Sequence, residues 1–339
     1  MAEPPLIRQN KFWICSNANF VWSFNPFGDK GLCQAVLPIC MGGLGLGVVA
    51  DLAPSAFLSF ATATATLQNM MLPVAKLYED HLRKETFAEW CSIFGDVLNI
   101  DNCSQRKWNE PFLNKSKIFL EKMNDSLLNK ARLMAVKSDL GSVWLRAVPS
   151  TACGTRLDNA SIRVDLCLRL GLPVVSEYRC LCGAYVFSLG YHGLSCKFGS
   201  GGQARHSAMN DYLIRLFQKA YIPAIKQPAS LILDRNIRPE GYTLTPWSDG
   251  RCLTWDVTFP HTLADRYISN TLLKPDFKNS KYVDLNDGTR LFVPVCVETF
   301  GPIDKVTQHF FDNISTKIIK VSGDPNDKMY MKQNVSLLL

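Results

Sequence analysis

The sequence predicts an α/β chain, α+β overall: a helical amino-terminal half, then a mixed sheet with helices on its faces. Three observations carry this reading. Apolar residues recur at helical spacing through the first half, strand-like runs begin only after Pro223, and later helical text separates one strand from the others as a crossover would. With 47% hydrophobic and 20% charged residues the chain can bury a core, which excludes a disordered or low-complexity protein. Its 339 residues predict two or three domains.

Residues 1–30, rich in Asn, aromatics and Pro without a helical period, read as an irregular lead-in. Residues 31–174 read as helical. Apolar text from Leu32 to Ala75 is broken at Pro38 and resumes with Leu52, Ala53, Ala56, Phe57 and Phe60 on one face. The run Gly42-Gly43-Leu44-Gly45-Leu46-Gly47 lacks the Lys-Ser/Thr of a phosphate-binding loop and follows no strand, so it predicts a tight turn between helices. The segment 35–67 is apolar, but Asp51 divides it and Pro38 and Pro54 break its halves, so no membrane span is expected. Between 101 and 150 nine Lys or Arg face five Asp or Glu, a net +4, which a solvated helix face explains as well as nucleic acid does. A helix bearing Leu157, Ile162, Leu166, Leu168 and Leu170 is closed by Gly171 and Pro173.

From Arg205 the pattern changes. Met209, Tyr212, Leu213, Leu216, Phe217 and Ala220 form one apolar helix face ended by Pro223. Strands follow at 230–233, 242–245 and 252–259, then helical text from Thr262 to about Tyr282, a strand at 291–299 and a helix near 306–319.

The first 20 residues carry Pro4, Pro5, Arg8 and Lys11 where a signal peptide needs an apolar run. An intracellular protein, nuclear or cytoplasmic, is expected, with its 12 cysteines reduced. The formal charge of +7 permits a polyanionic partner without requiring one.

Within residues 175–203, Cys180, Cys182, His192 and Cys196 offer three thiolates and one imidazole, the donor set of a tetrahedral structural Zn²⁺. Neighbouring glycines let a short backbone wrap a metal, although Cys-x-Cys is tighter than the commoner Cys-x-x-Cys. Three buried cysteines beside a surface histidine is the competing reading.

A second constellation lies in residues 204–339. Arg238-Pro239-Glu240-Gly241 precedes Trp255-Asp256-Val257-Thr258 by about one hairpin, and Lys278 and Lys281 follow. Alternation sends Trp255 and Val257 to one face and Asp256 to the other. Two carboxylates there would hold Mg²⁺ or Mn²⁺, activating water and stabilising charge on a scissile phosphate, with a lysine fixing the phosphate or nucleophile. Ordinary strand-edge charges and a solvated lysine face explain the same residues.

Taken together, Cys180-x-Cys182, His192-x-x-x-Cys196, Arg205-His206, Arg238-Pro239-Glu240, Trp255-Asp256-Val257-Thr258, Lys281-Tyr282 and Val293-Pro294-Val295-Cys296-Val297-Glu298-Thr299 resemble the carboxyl-terminal part of a non-long-terminal-repeat retrotransposon protein of the kind with a restriction-enzyme-like endonuclease. The likeness covers about residues 140–339 and, loosely, 31–70. It implies a Cys-Cys-His-Cys zinc element, a nuclease core of the PD-D/E-x-K type and nicking of target DNA, with DNA, or RNA by the same chemistry, as partner. No polymerase motif is present. By resemblance Glu240 and Asp256 are the metal carboxylates, Lys281 rather than Lys278 is the third catalytic group, and Arg205, His206 and Arg238 face nucleic acid. Arg205 and His206 are expected at the start of their helix, where its amino-terminal dipole favours phosphate. Two departures weaken the chemistry: Thr258 stands where a simple motif has Lys, and Glu240 is a methylene longer than the family's Asp. A catalytically inactive nucleic-acid-binding remnant is therefore the alternative, and a helical scaffold docking protein through segment 35–67 a third.

Overall fold

The computed structural model describes residues 28–47, 49–72, 80–95, 104–123, 126–199, 201–228, 238–263 and 286–339, and these divide at 125/126 into two compact units. The first is helical: α1 (Gly28–Ala35), α2 (Val49–Met71), α3 (His81–Phe94) and α4 (Gln105–Met123). Its core is Leu58, Trp90 and Trp108, all nearly inaccessible, with the two indoles edge to face at 5.0 Å. The glycine run forms the turn between α1 and α2. Gly42 and Gly45 have positive φ, and a Cβ on Gly43 would lie 1.9 Å from the Leu37 carbonyl oxygen, so the turn cannot close around a larger residue there. Pro54 does not break α2 as the sequence suggests. It lies in the second turn, where its missing N–H leaves only the carbonyl four residues back without an intrahelical donor.

The second unit opens with α5 (Leu127–Val136), α6 (Asp139–Ser142) and α7 (Asn159–Leu170). Segment 126–174, read from sequence with the preceding helices, thus belongs to this unit. Asp158 caps α7 by accepting from the N–H groups of Ala160 and Ser161, and Gly171 ends it in the left-handed region. A two-stranded hairpin, β1 (Tyr178–Arg179) and β2 (Tyr185–Val186), follows. Then come α8 (Gly201–Lys219), β3 (Ala224–Lys226), β4 (Gly241–Thr243), β5 (Cys252–Thr258), β6 (Arg290–Cys296), α9 (Lys305–Ser322) and α10 (Asp327–Leu337).

The four later strands form a mixed sheet in the order β3-β4-β5-β6, antiparallel except for the parallel β5–β6 pair. Helices α8 and α9 pack against it. Leu213, Leu216 and Phe217 of α8 meet Leu253, Trp255 and Val257 of β5, while Val293 and Val295 of β6 join Phe310, Phe311, Ile314 and Ile318 of α9. Phe217 stacks on Trp255 at 4.7 Å; truncating it to Ala would cost about 3–5 kcal/mol. Among the described residues no helix is long and apolar enough to cross a membrane.

The four-stranded sheet opens at 224–226, in text not read as a strand: α8 stops at Lys219, Tyr221 takes a positive φ, and the chain reverses at once into β3. The strand expected at 230–233 and most of the helical text from Thr262 to Tyr282 lie outside the described residues. Helix α10 was not foreseen, because only Met331 and Val335, one turn apart, mark its buried stripe in otherwise polar text.

Candidate metal centre and carboxylate site

The hairpin β1–β2 and the short 3₁₀ segment Tyr191–Leu194 bring Cys180, Cys182, His192 and Cys196 together, with all four ligand atoms within 4.8 Å of one another. The Sγ atoms of Cys180 and Cys196 are 3.6 Å apart, and Cys182 Sγ is 3.2 Å from His192 Nε2. Thiolates at about 2.3 Å around a tetrahedral zinc stand about 3.8 Å apart, so the donors fit that ion in type, number and spacing. Among the described residues no second group of three or more His, Cys, Asp or Glu gathers in this way.

The local backbone explains why Cys-x-Cys suffices. Cys180-Leu181-Cys182-Gly183 and Cys196-Lys197-Phe198-Gly199 form the same turn: the glycine N–H donates to the first cysteine's carbonyl, at 2.9 and 3.0 Å. In each, the N–H two residues on, from Cys182 or Phe198, donates to that cysteine's sulfur. Cys182 thus occupies the third position of the first turn, where the second turn has Phe198, and contributes its own sulfur. The Phe198 N–H, with the neighbouring cysteine and histidine side chains, outweighs desolvation and brings the Cys196 thiol down to about 7. At Cys180 the Cys182 N–H pulls downward, yet desolvation and the adjacent sulfurs leave the thiol raised. The matching Cys-x-x-Gly pairs were a sequence signal left unread.

Glu240 and Asp256 come from neighbouring strands, Glu240 just before β4 and Asp256 on β5. Gly241 pairs with Trp255, and the Glu240 N–H donates to the Trp255 carbonyl at 2.9 Å. Glu240 and Gly241 thus both address Trp255, a bulge at the start of the strand, and the Glu240 carboxylate turns to the α8 side, where the Trp255 indole lies. Trp255 and Val257 are buried while Asp256 and Thr258 are half-buried, as alternation predicts. Across the parallel ladder Asp256 pairs with Pro294.

Helix α8 completes this site with a residue the sequence reading missed. Asn210, fully buried, donates from Nδ2 to Glu240 Oε2 at 2.7 Å and to the Glu240 carbonyl at 3.1 Å, while its Oδ1 accepts from the Trp255 indole N–H at 3.0 Å. One turn earlier, His206 Nε2 donates to the Val257 carbonyl at 3.1 Å and lies 3.5 Å from Glu240 Oε1. The His206-x-x-x-Asn210 spacing on one helix face was the available clue. Gly241 is required because a Cβ there would lie 1.9 Å from Trp255 Cζ2.

The basic residues are placed differently from one another. Arg205 and His206 are in the second turn of α8, not at its start, because the helix already begins at Gly201. Arg205 donates to the Leu339 carbonyl at 3.1 Å and stacks 6.0 Å from the Phe259 ring, and its desolvation lowers its pKa. Arg238, just before Glu240, is exposed. Lys278 and Lys281 lie outside the described residues. No protein-family model matches the chain, and no curated protein matches it at a significant level.

Proposed function

We propose that this chain is the zinc-bearing, metal-dependent DNA endonuclease region of a retroelement protein, nicking DNA at Glu240 and Asp256. The observation that supports the reading is a mixed sheet that carries Glu240 at the start of one strand and Asp256 on the next, with α8 holding Glu240. Two carboxylates suit Mg²⁺ or Mn²⁺, which commonly take one or two protein oxygens and keep water and substrate phosphate for the rest. The ion would supply a more acidic water and charge stabilisation at the phosphate. The protein's own part is orientation: Asn210 fixes Glu240 Oε2, and Trp255 fixes Asn210 from behind. Exposed Arg238 would pair with a backbone phosphate, and Lys281, or Lys278, is the family's third group. In the other centre Cys180, Cys182, His192 and Cys196 hold a structural zinc.

Plasmid nicking tests this. Mg²⁺ or Mn²⁺ should support conversion of supercoiled to open-circular DNA, chelator should stop it, and Asp256→Asn should lower it roughly 100-fold or more while DNA binding persists. Thr258 in place of Lys, and a Glu240 carboxylate already engaged by Asn210 and His206, favour a second reading, a non-cleaving nucleic-acid-binding remnant. Binding without nicking under either metal selects it.

A further inference from the structure

The Cys3His element carries on its outside what a polar metal-stabilised loop does not need. Leu181 is 95% exposed, Phe187 66% and Phe198 63%, and Tyr178 and Tyr185 are about half exposed. Single apolar side chains at a surface are ordinary, but this is a group on one small element. Leu181 and Phe198 ride on the two matching turns, whose cysteine sulfurs are 3.6 Å apart, so the turns hold them close to the same end of the element. Tyr185 on β2 and Phe187 just after it pack edge to face at 5.0 Å while Val186 between them is buried.

Apart from Glu177, the charge around these rings is positive. No Asp or Glu occurs from Tyr178 to Asn210, whereas Arg179, Lys197 and Arg205 do. Lys197 Nζ sits 5.0 Å over the Phe198 ring. Glu177, just before the hairpin, accepts a hydrogen bond from the Tyr185 hydroxyl at 2.7 Å. Exposed rings interleaved with cations are the equipment for unpaired nucleic acid, in which every base offers a π-face and every link a phosphate. A duplex keeps its bases stacked on each other and cannot use the rings in this way.

We infer that the outer face of the Cys3His element binds single-stranded DNA, stacking bases on Phe198 and Phe187 beside Leu181 while Lys197 and Arg179 meet the phosphates. The choice of DNA rests on the endonuclease reading, since a strand freed beside a nick is the unpaired polymer available there.

The test uses the full chain loaded with zinc and a short fluorescent oligothymidylate, with a blunt duplex and an oligouridylate of equal length as the other arms. Phe198→Ala and Phe187→Ala should each weaken oligothymidylate binding roughly 5- to 100-fold, leaving duplex affinity and zinc content unchanged, and Phe198→Tyr should restore it. The Phe198 backbone N–H that bonds the Cys196 sulfur survives each of these changes. If Phe198→Ala loses zinc, Leu181→Ala and Phe187→Ala carry the test. Unchanged affinity in variants that retain zinc, or an equal fall for the duplex, overturns the inference; tighter binding of oligouridylate overturns the choice of DNA. Asp256→Asn should leave oligothymidylate affinity intact. Failure of the nuclease reading therefore shows in nicking alone, and failure of this one in single-strand binding alone.

Discussion

The cysteine cluster and the carboxylate pair are assembled in opposite ways. The cluster draws four ligands from 17 consecutive residues, Cys180 to Cys196, and closes with two copies of one turn. The carboxylates stand one before β4 and one on β5, and Glu240 is held by two residues of a helix some thirty residues upstream, an arrangement that exists only if the sheet register and the α8 packing are both correct. One site is a property of a loop; the other is a property of the fold. Damage should therefore stay local at the first and spread at the second.

The largest effect that separates them is ligand removal. Cys182→Ser should lower bound zinc from one per chain to near zero after dialysis and unfold the hairpin, since structural zinc supplies the folding energy of such elements. The Trp255–Phe217 stack should survive, so near-ultraviolet dichroism from the sheet should change little. A full zinc complement in the variant would remove the cluster as a metal centre, and loss of the sheet signal would show that the two regions fold as one.

The converse change is Gly241→Ala. The new methyl would overlap the Trp255 indole and push it from Asn210, which holds Glu240. Overpacking of this kind costs about 1–3 kcal/mol, and more where the backbone must move. Melting of the sheet unit should fall by several degrees and nicking should fall with it, while zinc content stays at one. An unchanged melting temperature would mean that the indole moves aside freely and that Glu240 is not held through it.

Legibility in the sequence follows the same division. The zinc-type ligands were readable because spacing alone brings them together, and the α8 face from Met209 to Ala220 because apolar periodicity survives any tertiary arrangement. Glu240 and Asp256 were readable as candidates, but the capture of Glu240 by α8 needed a packing that composition does not encode. Asn210 was invisible because a lone Asn in a helix is ordinary until the strand opposite it is known. The strand at 224–226 was not read because the positive φ at Tyr221 reverses the chain sooner than Pro223 suggests, and α10 was missed because two buried apolar residues do not make a pattern.

The smallest predicted effect lies in the scaffold that both sites share. Asp165 of α7 lines a cavity of about 490 Å³ walled by Leu157, Leu168 and Phe300, and desolvation, with the Asp158 charge adding to it, raises its carboxyl to about 6. An unfolded Asp ionises near 4, so between about pH 4 and 6 the folded protein keeps a proton that the unfolded chain has released. Stability then falls as pH rises through that window, and above it the folded chain carries the full cost of a desolvated charge. Asp165→Asn removes the charge and keeps the shape. It should stabilise the unit by about 1–2 kcal/mol at pH 7 and by almost nothing near pH 4, with zinc content and nicking unchanged. A gain independent of pH would assign the effect to packing. A loss at pH 7 would mean that the ionised carboxylate is stabilised by the cavity, against the direction in which burial drives it.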